Sequence, residues 1–390
     1  MALIVLFLAG CSNAQRTSLP PLTRVAPLLP PKFQAPDPAG PLRSFEQIVA
    51  LPDEQFDVAE AVLALAAESK EQDSAAVNRD TLSEIDRLAA NAKTDLPENP
   101  DGNDYFDTFY EVVLDRRAAD PFREDRAENY DLSLAVSKRR GSCLSIGIMT
   151  LAVARRMGAP VWGVQCPAHF FLKYIPPPGS KRGKTLNFDV TRPMSDNYEK
   201  LDDEFYRHWH HIDPQAEANG AYLRPLSDRE VVSAFLASRS SYYALKGSLA
   251  QALKDAERAV KLNPRNVTAH TNAGFASEAL GKFVQAAEYY SRALEVDAHS
   301  VNALNDLAYL KVRDPQSPVF DPRGAQKLIE HALRLQPGRA FLLATSAEVK
   351  AATQDWRGAG RTMQEAMKLD PKNQKYRDRF MQFREKVRAQ

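Results

Sequence analysis

A repeat near the C-terminus limits the possible folds more than any other feature of this 390-residue chain. Four helical patterns each end in a two-residue turn. The second residue of each turn is at position 264, 298, 337 or 371, so successive turns are 34, 39 and 34 residues apart. Such a period predicts stacked helix–turn–helix units that bury their apolar faces against one another. The four turns are Asn263-Pro264, Asp297-Ala298, Gln336-Pro337 and Asp370-Pro371.

The period and its small residues resemble the tetratricopeptide repeat (TPR). The second unit has Gly274, Ala286, Tyr290 and Ala293 where that repeat has Gly, Ala, an aromatic residue and Ala. Two helices of one unit cross closely there, and a larger side chain would push them apart. The longer spacing fits an insertion at residues 313–322 within unit three. We therefore expect an all-α TPR solenoid over residues 233–390, with about four repeats and a charged terminal helix, and the resemblance implies that it binds a protein or peptide.

Composition excludes several classes of protein. Lys and Arg total 51 and Asp and Glu total 50, a net charge of +1, so no overall positive field exists to hold a polyanion and no nucleic acid partner is expected. Three cysteines are too few for a disulfide scaffold or a Cys-only zinc site. The sequence has no run of about 18 apolar residues, so no transmembrane helix is predicted. We expect no cofactor and no metal.

The first residues form a short apolar run, MALIVLFLAG, followed by Cys11. This run resembles a bacterial lipoprotein signal peptide over residues 1–10. The resemblance implies that Cys11 is the lipidated N-terminus and, with Ser12 next, that the protein is sorted to the outer membrane and faces the periplasm. Such a signal normally begins with Lys or Arg, and none precedes Cys11, which leaves a start upstream of Met1 open. An unmodified Cys11 in a cytoplasmic regulator is the alternative.

Residues 11–43 are predicted to form a tether between Cys11 and the first helix. Eight prolines occur between positions 20 and 41. Proline fixes φ and lacks an N–H donor, so this stretch is expected to be extended. A tether of this kind can hold a folded domain away from a membrane surface.

Residues 44–140 are predicted to be mostly helical. Apolar residues recur at helical spacing around Val62 and again around Ile85. Asp53 or Asp57, and Thr81, are expected to cap these helices.

A helix followed by antiparallel strands is predicted for residues 141–200. The helix covers 142–158, because apolar residues recur there every three or four positions and glycines bracket it. Residues 159–165, 169–175 and 186–190 have strand patterns, and the proline- and glycine-rich loop 176–183 joins the last two strands. This arrangement is an α+β domain.

Three residues of this region could carry chemistry: Cys143, His169 and Asp189. Cys143 is predicted at a helix N-terminus, where the helix dipole favours thiolate over thiol. His169 opens a strand and could take the thiol proton, and Asp189 on the next strand could orient the imidazole. These roles are those of a nucleophile, a base and an orienting acid.

The order Cys–His–Asp on helix–strand–strand resembles the transglutaminase-like superfamily, which shares its core with papain-like cysteine proteases. The resemblance implies a transglutaminase-like domain over residues 44–232, with N-terminal helices and a core at 141–200, followed by TPRs. It runs from about residue 56 to 193 and is carried by VAEAVLALAAE, Asn129-Tyr130-Asp131-Leu132, RRGSCLSIGIMTLAVARRMGAPVWGV, Pro167-Ala168-His169-Phe170 and Phe188-Asp189.

Other reactive side chains have simpler interpretations as well. Cys166 lies on a predicted strand and is expected to face the hydrophobic core. A reversible disulfide with Cys143 in an oxidising compartment is the alternative. His208, His210 and His211 lie near several acidic residues, but they lack a paired metal-ligand spacing. A polar connecting segment is the preferred interpretation of these histidines, and the rim of the cleft is the alternative.

Two functions remain open at this stage. The first is an envelope lipoprotein whose cysteine site hydrolyses amides or transfers acyl groups, as an amidase, a protease or a transglutaminase-type acyltransferase, while the repeats bind its protein target. The second is a non-catalytic interaction scaffold that retains the same fold. The sequence does not choose between hydrolysis and transfer.

Overall fold

The computed structural model describes residues 33–36, 43–68, 74–114, 130–139, 141–180, 183–192 and 201–389. The predicted signal peptide, Cys11 and most of the tether lie outside these residues. Within the described ranges, no helix combines the length and the apolar character needed to cross a membrane.

The predicted N-terminal helical region consists of helices of 5 to 22 residues around the core. Asp57 caps α2 by accepting a hydrogen bond from the Ala59 amide, as expected. Thr81 instead lies inside α3, where its hydroxyl donates to the Val77 carbonyl, so its prediction as a cap was wrong. The helices are α1 Phe45–Val49, α2 Val58–Ala67, α3 Ser74–Asp95, α4 Gly102–Thr108, which continues into a π-helical turn Phe109–Val113, and α5 Leu132–Lys138.

The central helix is α6, Cys143–Met157. Its residues from 144 to 155 are all buried, because it packs between α3 on one side and the sheet on the other. Ser142 begins the helix and Gly158 ends it with φ +71°, a conformation that glycine adopts without steric cost. The predicted helix over 142–158 is confirmed.

A four-stranded antiparallel sheet follows α6, which confirms the α+β class. The strands are β1 Val161–Cys166, β2 His169–Tyr174, β3 Leu186–Phe188 and β4 Pro225–Leu226, in the order β3-β2-β1-β4. The β1–β2 turn contains only Pro167 and Ala168, so Cys166 pairs with His169. The two-residue strand β4 was not predicted.

The two faces of the sheet pack against different elements. Phe170, Leu172 and Tyr174 of β2 face the α6 core, whereas Phe171 joins a second cluster with Cys166 and Tyr206. Side chains alternate between faces along a strand. Two further helices cover the second face, α7 Asp203–Trp209 and α8 Pro214–Ala218.

The C-terminal region is a stack of antiparallel helix pairs, as the period predicted. Every second helix ends directly before one of the four predicted turns, and residues 311–321 form the insertion within pair three. A Cβ on Gly274 would lie 2.5 Å from the Tyr290 ring, which explains the small residue at this crossing. The helices are α9 Asp228–Leu245, α10 Leu249–Leu262, α11 Val267–Ala279, α12 Phe283–Val296, α13 Val301–Leu310, α14 Pro322–Leu335, α15 Ala340–Ala352, α16 Trp356–Leu369 and α17 Gln374–Arg388.

Helix α9 is shared by the two regions, and the expected boundary at 232/233 falls inside it. It packs against α10 and α11 of the stack and also against α2 and α6. Buried Arg239 pairs with Asp255 of α10 at 2.7 Å and donates to the Leu65 carbonyl of α2 at 2.8 Å. One side chain therefore connects the first repeat to the N-terminal helices.

Candidate active site

The three predicted site residues meet at one end of α6. Cys143 is the first residue of α6, His169 is the first residue of β2, and Asp189 directly follows β3. Because Leu172 pairs with Phe188, the antiparallel register brings Asp189 alongside the start of β2. His169 Nε2 lies 2.9 Å from Asp189 Oδ2, and Cys143 lies close enough to His169 to raise the pKa of its imidazole. Since Nε2 contacts Asp189, Nδ1 is the ring nitrogen that remains for the thiol.

The surroundings of His169 favour its protonated form. Burial lowers its pKa, but the nearby Asp189 and Cys143 side chains outweigh burial and raise the pKa to about 10. The imidazole side chain is 17% exposed and the Asp189 carboxylate only 3%. Below about pH 10 the histidine is therefore an imidazolium.

Asp189 is held as a carboxylate by several donors. Its Oδ1 accepts from the amide of Thr191 at 3.1 Å and from the hydroxyl of Thr191 at 2.6 Å, and Arg192 Nε lies 3.3 Å from Oδ2. Burial raises the pKa of Asp189, but the hydrogen bonds to His169 and Thr191 outweigh it, so the pKa is lowered. The carboxylate can orient the imidazole over a wide pH range.

The start of α6 is built to present Cys143. Ser142 Oγ accepts from the Ser145 amide at 3.1 Å, and Ser145 Oγ accepts from the Ser142 amide at 2.9 Å. This capping box leaves the amides of Cys143 and Leu144 without an acceptor among the described residues, as first-turn amides are. A Cβ on Gly141 would clash with Ser145 Oγ, so a larger residue there would displace this hydroxyl from the capping box.

Helix α7 and the residue after it cover His169 with aromatic rings, which the sequence did not predict. Tyr206 stacks on Phe171 with ring centroids 4.1 Å apart. His210 stacks on His169 at 5.7 Å with an interplanar angle of 17°. Lys173 of β2 fixes α7 by contacting both oxygens of Asp203 at 2.8 Å. These contacts join residues about 30 positions apart, so no local pattern indicates them.

His210 is the member of the RHWHH segment that reaches the site. Burial and the nearby positive charge of His169 lower its pKa to about 4, so its ring is neutral where His169 is charged. His208 and His211 contact each other instead, at 6.3 Å. Among the described residues no group of His, Cys, Asp and Glu has the arrangement of a metal site, and the cleft-rim interpretation fits His210 and His211.

Cys166 is fully buried, and burial raises the pKa of its thiol. It packs in the cluster on the α7 face of the sheet, whereas Cys143 packs against the α6 core. Both thiols are free. This placement supports a core role for Cys166 and gives no support to the disulfide with Cys143.

A cavity of about 1030 Å³ opens in front of Cys143 and His169 and continues along the helix stack. One wall comes from the sheet and from residues 210–213, and the opposite wall comes from α9, α11, α13 and α15. Gln165 of β1 lines this cavity, and its carboxamide has no hydrogen-bond partner in the part of the chain that the structure describes. Its place in the wall of this cavity was also missed by the sequence analysis.

The sequence model of the transglutaminase-like superfamily matches residues 79–237. Residues 79–237 form a transglutaminase-like domain. The match contains Cys143, His169 and Asp189, and it ends inside α9. The transglutaminase-like domain is thus joined to the helix stack through a helix that belongs to both.

Curated relatives with similar sequences are UPF0162 proteins. One from Pseudomonas aeruginosa is 25% identical over 144 residues, which cover 36% of this chain and 48% of the relative. One from Xylella fastidiosa (strain Temecula1) is 27% identical over 179 residues, which cover 46% and 56%. The chain therefore spans about half the length of the curated relatives it matches.

Solved structures similar to this chain include TPR proteins. A Pseudomonas aeruginosa pilF structure covers 41% of this chain and 71% of its own, with 16% identity and a TM-score of 0.36. A thermophilic TPR protein from Thermus thermophilus covers 39% and 80%, with 17% identity and a TM-score of 0.34. The repeat assignment for this chain rests on its own period and helix pairs.

Proposed function

We propose that the transglutaminase-like domain is a cysteine-dependent acyl-transfer or amide-hydrolysis enzyme that acts on a polypeptide held between the domain and the TPRs. The observation that carries the proposal is the His169–Asp189 hydrogen bond beside Cys143, with Cys143 and His169 both lining the cavity. A nucleophile, a base and an orienting carboxylate in contact are the parts that acyl transfer requires.

The proposed reaction has two steps. In the first, the Cys143 thiolate attacks an amide carbonyl, the C–N bond breaks, and His169 gives its proton to the leaving amine. In the second, neutral His169 takes a proton from water or an amine as that acceptor attacks the thioester, and the C–S bond breaks to restore thiolate and imidazolium. Water gives hydrolysis, and a primary amine gives crosslinking.

The tetrahedral intermediate of each step needs donors for its oxyanion. The Cys143 amide at the start of α6 is one candidate, because its N–H has no acceptor among the described residues. The carboxamide of Gln165 is the second candidate, since it lines the same cavity and its donors are unused. One backbone and one side-chain donor would serve an oxyanion above Cys143.

The mixed chemistry of the cavity walls suits a polypeptide substrate. The stack contributes hydroxyl and amide side chains such as Thr268 and Asn302, a similar number of apolar ones such as Phe341, and the charged side chains of Asp297 and Arg339. Such a surface can hydrogen-bond a peptide backbone and hold small apolar side chains. A cavity that runs from the thiol along several repeats suits an extended segment better than a small molecule.

We further propose that the protein is an envelope lipoprotein anchored through Cys11, and that residues 11–43 tether it. The support is the apolar run that ends in Ala9-Gly10-Cys11 and the prolines that follow. Metabolic labelling of expressing cells with an alkyne palmitate should label the wild type and leave Cys11→Ala unlabelled. Equal labelling of both proteins would contradict the anchor.

The test of the catalytic proposal is the rate at which iodoacetamide alkylates Cys143 between pH 5 and 9, measured on the Cys143 peptide by mass spectrometry. Cys166 in the same protein serves as the buried internal control. We expect rapid alkylation already at pH 6, at least about tenfold slower in His169→Ala, because the imidazolium that favours the thiolate is gone. His208→Ala is the matched control outside the triad.

Slow alkylation of Cys143 at a rate that does not change in His169→Ala would contradict the catalytic proposal. It would favour the second candidate, a binding scaffold, because the helix stack still forms one wall of the cavity. Pull-down with the full chain, and with a variant altered at Phe341, would then be the next experiment.

A further inference from the structure

The neutral histidine beside the triad has no role in the two steps as written. His210 lines the cavity, and its ring is parallel to that of His169 within 17° at a centroid distance of 5.7 Å. Neither ring nitrogen has a hydrogen-bond partner in the described ranges. Neither nitrogen is buried, so both are open to a molecule in the mouth of the site.

We propose that His210 binds and orients the acyl acceptor, water or an amine, in the second step of the reaction. This inference rests on the proposed function. The acceptor must approach His169, which takes its proton, and the thioester carbon at Cys143. A molecule at the common edge of the two imidazole rings can form a hydrogen bond of about 2.8 Å to each.

The charge states of the two rings suit two different roles, proton transfer by His169 and binding of the acceptor by His210. His169 is the base, whereas His210 stays neutral through the pH range in which His169 is charged. A neutral imidazole offers one acceptor and one donor, so it can hold the second hydrogen of water or an amine while the first passes to His169. The proton leaves the acceptor as its oxygen or nitrogen bonds to the carbonyl carbon, and the C–S bond then breaks.

The rings behind His210 keep it in place. Tyr206 is buried, and its ring is parallel to that of His210 within 7° at 6.3 Å. The following residue, His211, has φ +50°, so the chain turns sharply after His210. Helix α7 therefore presents the histidine at a fixed position rather than on a loose loop.

The experiment separates the two steps with p-nitrophenyl acetate on the full chain. The burst of p-nitrophenolate measures acylation of Cys143, and the steady-state rate measures transfer of the acetyl group to water. Peptide mass spectrometry identifies acetyl-Cys143. Added glycinamide tests an amine acceptor.

For His210→Phe, which keeps an aromatic ring in the stack, we expect a burst rate within about twofold of the wild type and a steady-state rate at least about tenfold lower. Acetyl-Cys143 should accumulate, and glycinamide should no longer speed its loss. His210→Gln, which retains an acceptor and a donor, should recover part of the deacylation rate. His208→Phe, in the same segment but outside the cavity, should match the wild type.

Two results would overturn the inference while leaving the catalytic proposal intact. Equal slowing of the burst and the steady state in His210→Phe would show that the ring only packs, and unchanged rates would show that it has no role. A wild type that gives neither a burst nor acetyl-Cys143 overturns both, and the separate alkylation profile of Cys143 then shows whether the thiol is activated at all.

Discussion

At the scale of single residues, the triad is an electrostatic unit. His169 and Asp189 shift each other's pKa because they are hydrogen-bonded and largely buried, and Cys143 adds to the raised pKa of His169. The roles of these three residues followed from the sequence, since each residue type and its place on a helix or strand indicates its chemistry. The proposed roles of Gln165 and His210 did not follow, because these two residues are brought to the cavity by the packing of strands and helices and carry no local sequence signal.

The raised pKa of His169 makes stability depend on pH. Its folded value is about 10, whereas an unfolded histidine titrates near 6.5. The stabilisation is therefore complete below about pH 6.5 and is lost as the pH rises towards about 10. We expect the difference in free energy of unfolding between wild type and His169→Gln to shrink steadily over this window.

Urea unfolding at pH 5.5, 7, 8.5 and 9.5 measures that difference. His208→Gln is the control, because this histidine takes no part in the triad. A difference between wild type and His169→Gln that stays constant from pH 6.5 to 9.5 would show that the triad histidine does not titrate as the structure implies.

At the scale of elements, local sequence signals predicted an element correctly where residues of the same segment define its two ends. Ser142 and Gly158 bound α6 as predicted, and the spacing of small residues located the helix crossings. Helix α7 and strand β4 were missed because each is stabilised from outside. Lys173 and Asn187 of the sheet both bind Asp203 at the start of α7, and β4 has only two paired residues.

The cap of α6 should affect both stability and reactivity. Ser142→Ala removes the acceptor for the Ser145 amide, and loss of an N-cap typically costs about 1 kcal/mol. Because Cys143 is the next residue, fraying of this turn should also slow its alkylation. Ser44→Ala removes an exposed capping box from α1, so it is a matched control that should leave the alkylation rate unchanged. Normal alkylation of Cys143 in Ser142→Ala would show that the cap does not position the thiol.

At the scale of the whole molecule, the transglutaminase-like domain and the repeats share a core. The cluster on the α7 face contains Tyr222 and Ala216 of the domain together with Val267 and Val296 of the stack. The Tyr222 hydroxyl lies 3.0 Å from Asp297 Oδ2, and Asn219 donates to the Val296 carbonyl at 2.9 Å. The cavity is the open part of this same interface, so its shape depends on both regions.

Breaking the Arg239–Asp255 pair should therefore destabilise both regions together. The two side chains are 3% and 0% exposed, and removing one partner of a buried pair typically costs about 3–5 kcal/mol. The chain has three tryptophans, of which buried Trp162 reports on the domain and Trp356 on the last repeat. We expect Arg239→Ala to lower the urea midpoint seen by each probe, with Trp162→Phe and Trp356→Phe backgrounds separating them. Arg239→Met with Asp255→Leu should recover part of the loss, because no charge is left buried alone. If the Trp356 midpoint stays fixed while the Trp162 midpoint falls, the last repeat is stable without the domain, and the cavity joins two independently folding parts.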